Sequence, residues 1–475
     1  MLCGAWGSPR SSPRILPSRR GSEGSRPCVA ETSRQIALDV LTEVETEACF
    51  ADEVLNRHLS RAGGIGEKDR NFLFNLIKGT LRWRGRVDYF LQQIASRPLE
   101  AMPVRIRNIL RLAAYQILFL DRVPDWAAVD QAAELARRYG HEGHVRFVNA
   151  VLRNLIRRRE DLSLPDPSLT ISYLQAAYSF PEWLVERWVR RFGAGTAERL
   201  LEASNLPPPL FLRVNTLKIS REEWISRISG QAEGARPHPL VPEGVEVSGQ
   251  GDLTTLPGYQ QGWFYVQDPG SMIVAHLSGA KPGERILDAC AAPGGKASHL
   301  AQLMQDRGEI VALEMEEGKI ARMQENLKRL DIRSVTLQTG DASRVEFAQP
   351  FDRILIDAPC SGLGTIRRHP EAKWIKSAED LIRHQERQLS ILRNVSRFVR
   401  DGGTLIYATC STEPEENEEV IGRFLGERPE FTIEKKPKEL EAAILEMFDE
   451  QGYFHAYPHL HHTDGFFAAR LIRKE

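Results

Sequence analysis

The sequence predicts three folded units: an all-helical N-terminal domain, a small α+β module, and an α/β domain built on a parallel sheet. Three observations predict it. Residues 32–160 carry apolar side chains at helical spacing with no strand-like alternation. A segment with Pro165, Pro167 and several serines then interrupts the pattern. From about residue 268, short apolar runs alternate with helical stretches, the signature of parallel strands covered on both faces. With 475 residues, the chain has room for about three domains. The expected boundaries are a disordered tail at 1–31, the helical domain at 32–160, a linker and the α+β module at 161–260, and the α/β domain at 261–475.

Residues 1–30 are rich in Ser, Pro, Gly and Arg, and Glu23 is the only acid. An organelle transit peptide has a similar composition, but no amphipathic helix pattern accompanies it, so a disordered tail or an early start codon is the expectation. In the helical block, Ile36, Leu38, Val40, Leu41 and Val44 open a helix after the cap residues Thr32 and Ser33. A long helix starts near Glu67, another follows Pro103, and two more fit Ala127–Tyr139 and His144–Arg158. Basic residues slightly outnumber acids here. Arg82, Arg84 and Arg86 flank Trp83, and Arg157, Arg158 and Arg159 end the block, a pattern that a solvated helix face also gives.

Residues 161–175 read as a linker. Helices fit around Trp183–Val189 and Ala197–Ala203, and Pro207, Pro208 and Pro209 end the second. Leu210–Leu217, Val245–Val247 and Trp263–Val266 read as strands, with a helix at Glu222–Ile228. In the last third, strands are expected at Arg285–Ala289, Ile310–Glu314, Val335–Leu337, Arg353–Asp357 and Thr404–Ala408. Helices are expected at Gly295–Met304, Lys319–Leu330, Ala378–Val399 and Glu415–Leu425.

Composition excludes several classes. The net charge of -1 gives no global pull on nucleic acid, so any RNA contact must come from local patches and shape. No apolar run approaches the length of a membrane span, and the first 30 residues lack a signal-peptide core, so a cytoplasmic protein is expected. Six cysteines form no CxxC pair, which argues against zinc and for reduced thiols. His455, His459, His461 and His462 lie close together, but without carboxylate or thiol at ligand spacing they read as a loop and strand, and no metal is expected.

The chemistry is expected where strands end. Leu287-Asp288-Ala289-Cys290-Ala291-Ala292-Pro293-Gly294-Gly295-Lys296 follows the first strand of the alternating block and opens a helix. Adjacent glycines and a free helix N-terminus let backbone approach a ligand closely. The spacing is neither GxGxxG nor a P-loop. Glu314 ends the next strand and can bind ribose hydroxyls, and Asp341 after the third can accept from an adenine amino group. Asp357-Ala358-Pro359-Cys360 ends the fourth strand and Thr409-Cys410-Ser411 the fifth. A lone cysteine is usually a small buried hydrophobe; two at one rim are harder to set aside. C5 of cytosine is a poor nucleophile. A thiolate adding to C6 makes it an enamine carbon able to take a methyl group, and an acid at N3, for which Asp357 is placed, assists.

These motifs, with Arg213-Val214-Asn215-Thr216-Leu217-Lys218, Gln267-Asp268-Pro269-Gly270-Ser271 and Asp464-Gly465-Phe466-Phe467, resemble the RNA cytosine-5 methyltransferases over roughly residues 205–475. The block at 32–160 is similar to the fold of the antitermination factor NusB. The resemblance implies a Rossmann-like, S-adenosyl-L-methionine-dependent methyltransferase domain, an RNA-binding α+β module and a NusB-like RNA-binding domain. It implies Cys410 as nucleophile, Cys360 in product release and Asp357 on the cytosine beside the cofactor. It implies that Cys290, Ala291, Ala292, Pro293, Gly294, Gly295, Lys296, Glu314 and Asp341 hold the cofactor, and that Arg213, Asn215, Arg367, Arg368 and His369 touch RNA. The DNA cytosine-5 enzymes attack with the Pro-Cys cysteine, which would make Cys360 the nucleophile; the RNA family uses the Thr-Cys cysteine. Glu314 stands where the family more often has Asp. The implied substrate is 16S ribosomal RNA, expected as naked RNA bound by a monomer. Transfer RNA, an amino-group methyltransferase and a non-catalytic RNA scaffold are the rival readings; the amino-group enzyme would want Asn-Pro-Pro or Asp-Pro-Pro where this chain has Asp-Ala-Pro-Cys.

Overall fold

The computed structural model describes residues 33–61, 66–228, 234–248 and 253–475. The tail expected at 1–31 lies outside them. Six helices come first: α1 (Ser33–Glu47), α2 (Ala51–Arg61), α3 (Glu67–Gln92), α4 (Val104–Phe119), α5 (Asp125–Tyr139) and α6 (Glu142–Arg157). Their apolar faces meet in one core that includes Ile36, Leu76, Ile109, Val148 and Leu152. Pro103 caps α4 from outside, where its missing N–H costs nothing. The sequence pattern did not announce α2. Part of its support comes from far along the chain, where Glu371 accepts a hydrogen bond from the Ala51 N–H at 3.0 Å.

Three further helices follow: α7 (Thr170–Tyr178), α8 (Glu182–Phe192) and α9 (Ala194–Asn205). The expected linker is therefore shorter than 161–175. Residues 170–175 are helical because Leu174 packs with Phe180, Leu184 and Trp188. The α+β module then contributes β1 (Leu210–Val214), α10 (Arg221–Ile228), β2 (Arg236–Pro237), β3 (Gly244–Val247) and β4 (Phe264–Val266). Its sheet runs β2-β3-β1-β4, antiparallel throughout. β1 stops at Val214, short of the expected Leu217, because the Asn215 side chain accepts from the Leu217 N–H and turns the chain.

The remaining elements are α11 (Pro269–Leu277), β5 (Arg285–Asp288), α12 (Gly295–Leu303), β6 (Glu309–Glu314), α13 (Glu317–Leu330), β7 (Val335–Thr339), β8 (Phe351–Asp357), α14 (Ala372–Ile375), α15 (Ala378–Val395), β9 (Val399–Thr409), α16 (Glu418–Glu427), β10 (Phe431–Ile433), α17 (Ala442–Leu445), β11 (Tyr453–Ala456), α18 (Pro458–His461) and β12 (Phe466–Arg473). The second sheet runs β10-β12-β9-β8-β5-β6-β7, with β11 beside β12. The five expected strands are present and parallel. The sheet as a whole is mixed, since β12 enters antiparallel to β9, and β10 and β11 pair antiparallel with β12. Phe466 to Leu471 are buried on both faces and, Arg470 apart, apolar, so β12 gives no sign of direction. Among the described residues, no helix is long and apolar enough to cross a membrane.

Candidate active site

The order of strands positions the site. From β5 the chain winds outward through β6 and β7, then returns to lay β8 and β9 on the other side of β5. Such a switch point leaves a crevice beyond the carboxyl ends of the strands, where ligands bind in open α/β sheets. The ends of β5, β6, β7, β8 and β9 deliver Asp288, Glu314, Asp341, Asp357 and Cys410 to or beside that crevice.

A cavity of about 540 Å³ occupies the crevice, bordered by Glu314, Met315, Asp341, Asp357, Cys360 and Cys410 among others. A second cavity of about 360 Å³ adjoins it and is lined by Phe211, Tyr265, Asp268, Arg368 and Asp464. Cys290, Ala292, Lys296, Asp357 and His369 border both. The Lys296 ammonium meets the Asp357 carboxylate at 2.6 Å. Burial opposes the charge on Lys296, but that pairing more than offsets it and holds the amine protonated.

The residues of the glycine loop suit an adenosine-type cofactor. Gly294 sits at φ 93°, a left-handed geometry that favours glycine, and caps α12 with no side chain in the way. Glu314 orders the loop ends, accepting from the N–H groups of Ala292 at 3.3 Å and Glu316 at 3.0 Å. Asp341 is held by the Ser343 N–H and hydroxyl, which keep its carboxyl below the usual range. The strongest sign of a missing partner is Asp288. Its carboxyl is fully buried on the wall of the smaller cavity, and among the described residues no side chain hydrogen-bonds either oxygen, the Cys290 N–H being the donor that faces it. Burial and the nearby Asp357 charge push its pKa up to about 7. A ligand ammonium would give this carboxylate the partner it lacks. Asp288 stands inside the first strand-end motif. An acid ending an apolar strand just before a glycine loop was the available signal.

The two cysteines meet. Cys360 Sγ and Cys410 Sγ are 3.1 Å apart, each on its own strand-end loop. Gly364 makes this possible from behind. Its N–H donates to the Cys410 carbonyl at 2.9 Å and its carbonyl accepts from Gly465 N–H at 2.8 Å. A Cβ at Gly364 would lie 2.2 Å from the Gly465 carbonyl oxygen, so the close approach requires glycine. The hydrogen bond that the Cys360 thiol donates to Cys410, followed by burial, drives Cys360 well above its ordinary pKa.

Three of the five residues expected to touch RNA do something else in this structure. Arg213 is 1% exposed; it donates to the Gln267 side chain, to the Gly295 carbonyl at 2.6 Å and to Ser298 Oγ at 2.7 Å. It bolts β1 to the first turn of α12. Asn215, 2% exposed, donates to the carbonyls of Gly262 and Leu330 at 3.0 Å each and joins the module to the end of α13. Arg367 is also buried, and donates to the Thr463 carbonyl. Strand β1 is covered on both faces, with Phe211 in the catalytic-domain core and Leu212 in the module's own, so its polar side chains cannot reach solvent. Arg368 and His369 do reach the cavities. Arg368 is held there by Asp268 and Asp464. The N-terminal domain also reaches the site, with Phe50, Asp52 and Glu53 on the rim of the larger cavity, which no local sequence signal foretold. The four C-terminal histidines lie on β11, on α18 and just after it. One group with metal-ligand chemistry does occur elsewhere: Glu243 Oε1 lies 2.9 Å from His276 Nε2 and 2.6 Å from His299 Nε2.

A doubly wound sheet carrying a glycine loop, an acid at each of the next three strand ends and a buried carboxyl on the cavity wall defines a methyltransferase that uses S-adenosylmethionine. Family comparison narrows this. Residues 275–472 match 16S rRNA methyltransferase RsmB/F, residues 31–157 match the NusB family, and residues 180–254 match the ferredoxin-like domain of RsmF/B-like methyltransferases. The probable ribosomal RNA small subunit methyltransferase B of Bacillus subtilis (strain 168) is 35% identical over 448 residues, 93% of this chain and 98% of that protein. The crystal structure of PH0851 superposes with a TM-score of 0.78 at 26% identity, covering 94% of this chain and all of the other. A methyltransferase homologue from Pyrococcus horikoshii gives a TM-score of 0.56 at 31% identity, covering 65% of this chain and 99% of its own. The chain belongs to the RsmB/F family of 16S rRNA methyltransferases.

Proposed function

We propose that this protein methylates C5 of a cytosine in 16S ribosomal RNA through a covalent adduct between Cys410 and C6 of the base. The observation that carries the reading is the 3.1 Å contact of the two sulfurs at the rim of the cofactor cavity, beside the Lys296–Asp357 pair. Amino-group methylation has no use for two apposed thiols, whereas C5 chemistry needs a nucleophile and a way to release it. S-adenosylmethionine supplies the methyl group from its sulfonium when bound. Lys296 places positive charge near Cys410. Cys410 adds to C6 while Asp357 delivers a proton to N3, which draws electrons from the ring and leaves C5 an enamine carbon that takes the methyl group. A water molecule takes the C5 proton, the C6–S bond breaks as the C5–C6 double bond re-forms, and N3 returns its proton to Asp357; Cys360, in contact with the leaving sulfur, assists that release.

Cys290 to Lys296, Glu314 and Asp341 cradle the cofactor, and Asp288 takes its ammonium group. Arg368 and His369 contact the RNA, and the target base leaves its stack to reach the thiol, at a cost of a few kcal/mol. The helical unit at 32–160 and the module at 161–260 grip the RNA around the catalytic unit at 261–475. They offer a long surface for exposed loops, which favours naked RNA over an assembled subunit and a monomer as the working form. Equal methylation of assembled subunits would count against the first.

The test incubates wild type, Cys410→Ala and Cys360→Ala with labelled S-adenosylmethionine and small-subunit ribosomal RNA, followed by denaturing gels and nucleoside analysis. The expected result is no 5-methylcytosine from Cys410→Ala and a trapped protein–RNA adduct from Cys360→Ala. An adduct in Cys410→Ala would exchange the two roles. No transfer by wild type would overturn the reading.

A further inference from the structure

Behind the two sulfurs lies a carboxylate that the catalytic scheme leaves unused. Glu416 is fully buried in the turn between β9 and α16. Each reactive cysteine is followed by a serine, and both serines point away from the cavity towards Glu416. Its Oε2 accepts from Ser361 Oγ at 2.6 Å and from Ser411 Oγ, and the two hydroxyls are themselves 3.2 Å apart. Its Oε1 accepts from the Ser361 N–H at 2.7 Å and from Gln388 Nε2 at 3.3 Å. Gln388, on α15, also donates to the Pro359 carbonyl, and the Tyr407 hydroxyl donates to the Glu416 carbonyl at 2.6 Å.

We propose that Glu416 is the positioning residue of the cysteine pair: its buried carboxylate clamps the Pro359–Gly362 loop to the Cys410–Thr412 loop and thereby fixes the separation of the two sulfurs. The assignment rests on the proposed roles of Cys360 and Cys410. The geometry argues for it in three steps. The two loops end different strands, so β-pairing of β8 with β9 alone does not set where their tips stand. The main-chain link from the Gly364 N–H to the Cys410 carbonyl joins the two segments only beyond the Pro359–Gly362 loop, four residues after Cys360. Glu416 is the side chain that hydrogen-bonds the residue following each cysteine.

The donor set also identifies the working form of the clamp. Four donors converge on two oxygens, and a carboxylic acid would bring a proton of its own into a ring already short of acceptors. Burial raises the Glu416 pKa and opposes ionisation, while the hydrogen bonds from Ser361, Ser411 and Gln388 favour it. A carboxylate here repels negative charge on Cys360, which adds to the effect of Cys410 in keeping that thiol protonated. Cys360 then keeps the proton of the pair. The other titratable groups near the pair are Tyr407, whose hydroxyl burial keeps neutral, Cys290 on the glycine loop, the paired Lys296 and Asp357, and His369 on the cavity wall.

Two readouts on the full-length protein without RNA test the clamp, and S-adenosylmethionine affinity by calorimetry reports whether the fold is kept. The first is the rate of Cys360–Cys410 disulfide formation with diamide, which reports sulfur proximity. The second is the pH dependence of iodoacetamide alkylation at each cysteine, followed by mass spectrometry. Glu416→Ala should slow disulfide closure by about tenfold or more with cofactor affinity unchanged, and Glu416→Asp should recover part of the loss. Glu416→Gln should raise Cys360 alkylation at pH 8 by about tenfold, the equivalent of one pKa unit. If Glu416→Ala loses cofactor binding as well, Ser361→Ala and Ser411→Ala, which each remove one strut, carry the same test. Closure and alkylation profiles that match wild type in variants that still bind cofactor would overturn the proposal. A failure of the cysteine assignment shows separately, as 5-methylcytosine formation by Cys410→Ala.

Discussion

Asp288 links the empty-handed carboxylate of the cavity wall to pH. Its folded pKa of about 7 lies above the value of about 4 for an exposed aspartate. The folded protein without cofactor therefore keeps a proton that the unfolded chain gives up. The resulting stability is fully present below about pH 4 and is lost as pH rises towards 7, an effect of up to about 4 kcal/mol. Asp288→Asn should flatten that dependence. Cofactor-free wild type should lose more melting temperature between pH 5 and pH 8 than the variant, while the variant should bind S-adenosylmethionine at least about tenfold more weakly. Equal melting curves at both pH values would remove the protonated-carboxyl argument. Lys296 makes a second case. With the amine gone from Lys296→Met, Asp357 loses its 2.6 Å partner, and kcat should fall by about two orders of magnitude or more, measured as methyl groups transferred to RNA per enzyme under saturating cofactor.

At the scale of elements, Arg213 shows how the module and the catalytic sheet are joined. It spans from β1 to the first turn of α12, which is the helix opened by the glycine loop. Arg213→Ala would leave the Gly295 carbonyl and Ser298 hydroxyl short of a donor inside the protein. The expected cost is roughly 2–4 kcal/mol of stability, seen as a lower urea midpoint, together with weaker cofactor binding. A direct RNA contact would instead leave stability unchanged and weaken only RNA binding. The resemblance suggested RNA for this residue because arginine in a named motif reads that way. Burial of both faces of β1 is not legible from five residues, Leu-Phe-Leu-Arg-Val, whose alternation fits a half-exposed strand equally well.

For the whole molecule, the N-terminal domain forms part of the active-site wall. Glu371 is buried at the junction, accepting from Ala51 N–H at 3.0 Å and lying 3.4 Å from Lys78 Nζ. Trp374 Nε1 donates to the Leu81 carbonyl at 2.6 Å, and Lys373 donates to the Arg82 carbonyl at 2.9 Å. Burial lowers the pKa of Lys373 well below its ordinary value. Gly85 faces this seam, and a Cβ there would stand 2.8 Å from the Trp374 ring. Gly85→Val should therefore wedge the seam, at a cost of about 1–3 kcal/mol. The expected outcome is faster protease cleavage between the helical domain and the rest, and lower kcat/KM on RNA with cofactor affinity retained. Unchanged proteolysis and kinetics would mean that the seam is not needed for turnover.

Sequence alone determined the three fold classes, the five parallel strands and the chemistry-bearing strand ends, because those depend on local periods and on motifs a few residues long. The glycine loop, Glu314, Asp341 and both cysteine motifs stand where the order of strands and helices put them. Tertiary structure decided the rest. The direction of β12 has no local signal, since a run buried on both faces suits either orientation. The 3.1 Å sulfur contact joins residues 50 positions apart, and the Glu371 bridge joins residues 320 apart. Whether an arginine meets RNA or a backbone carbonyl depends on what covers its strand, and only packing between domains supplies that cover.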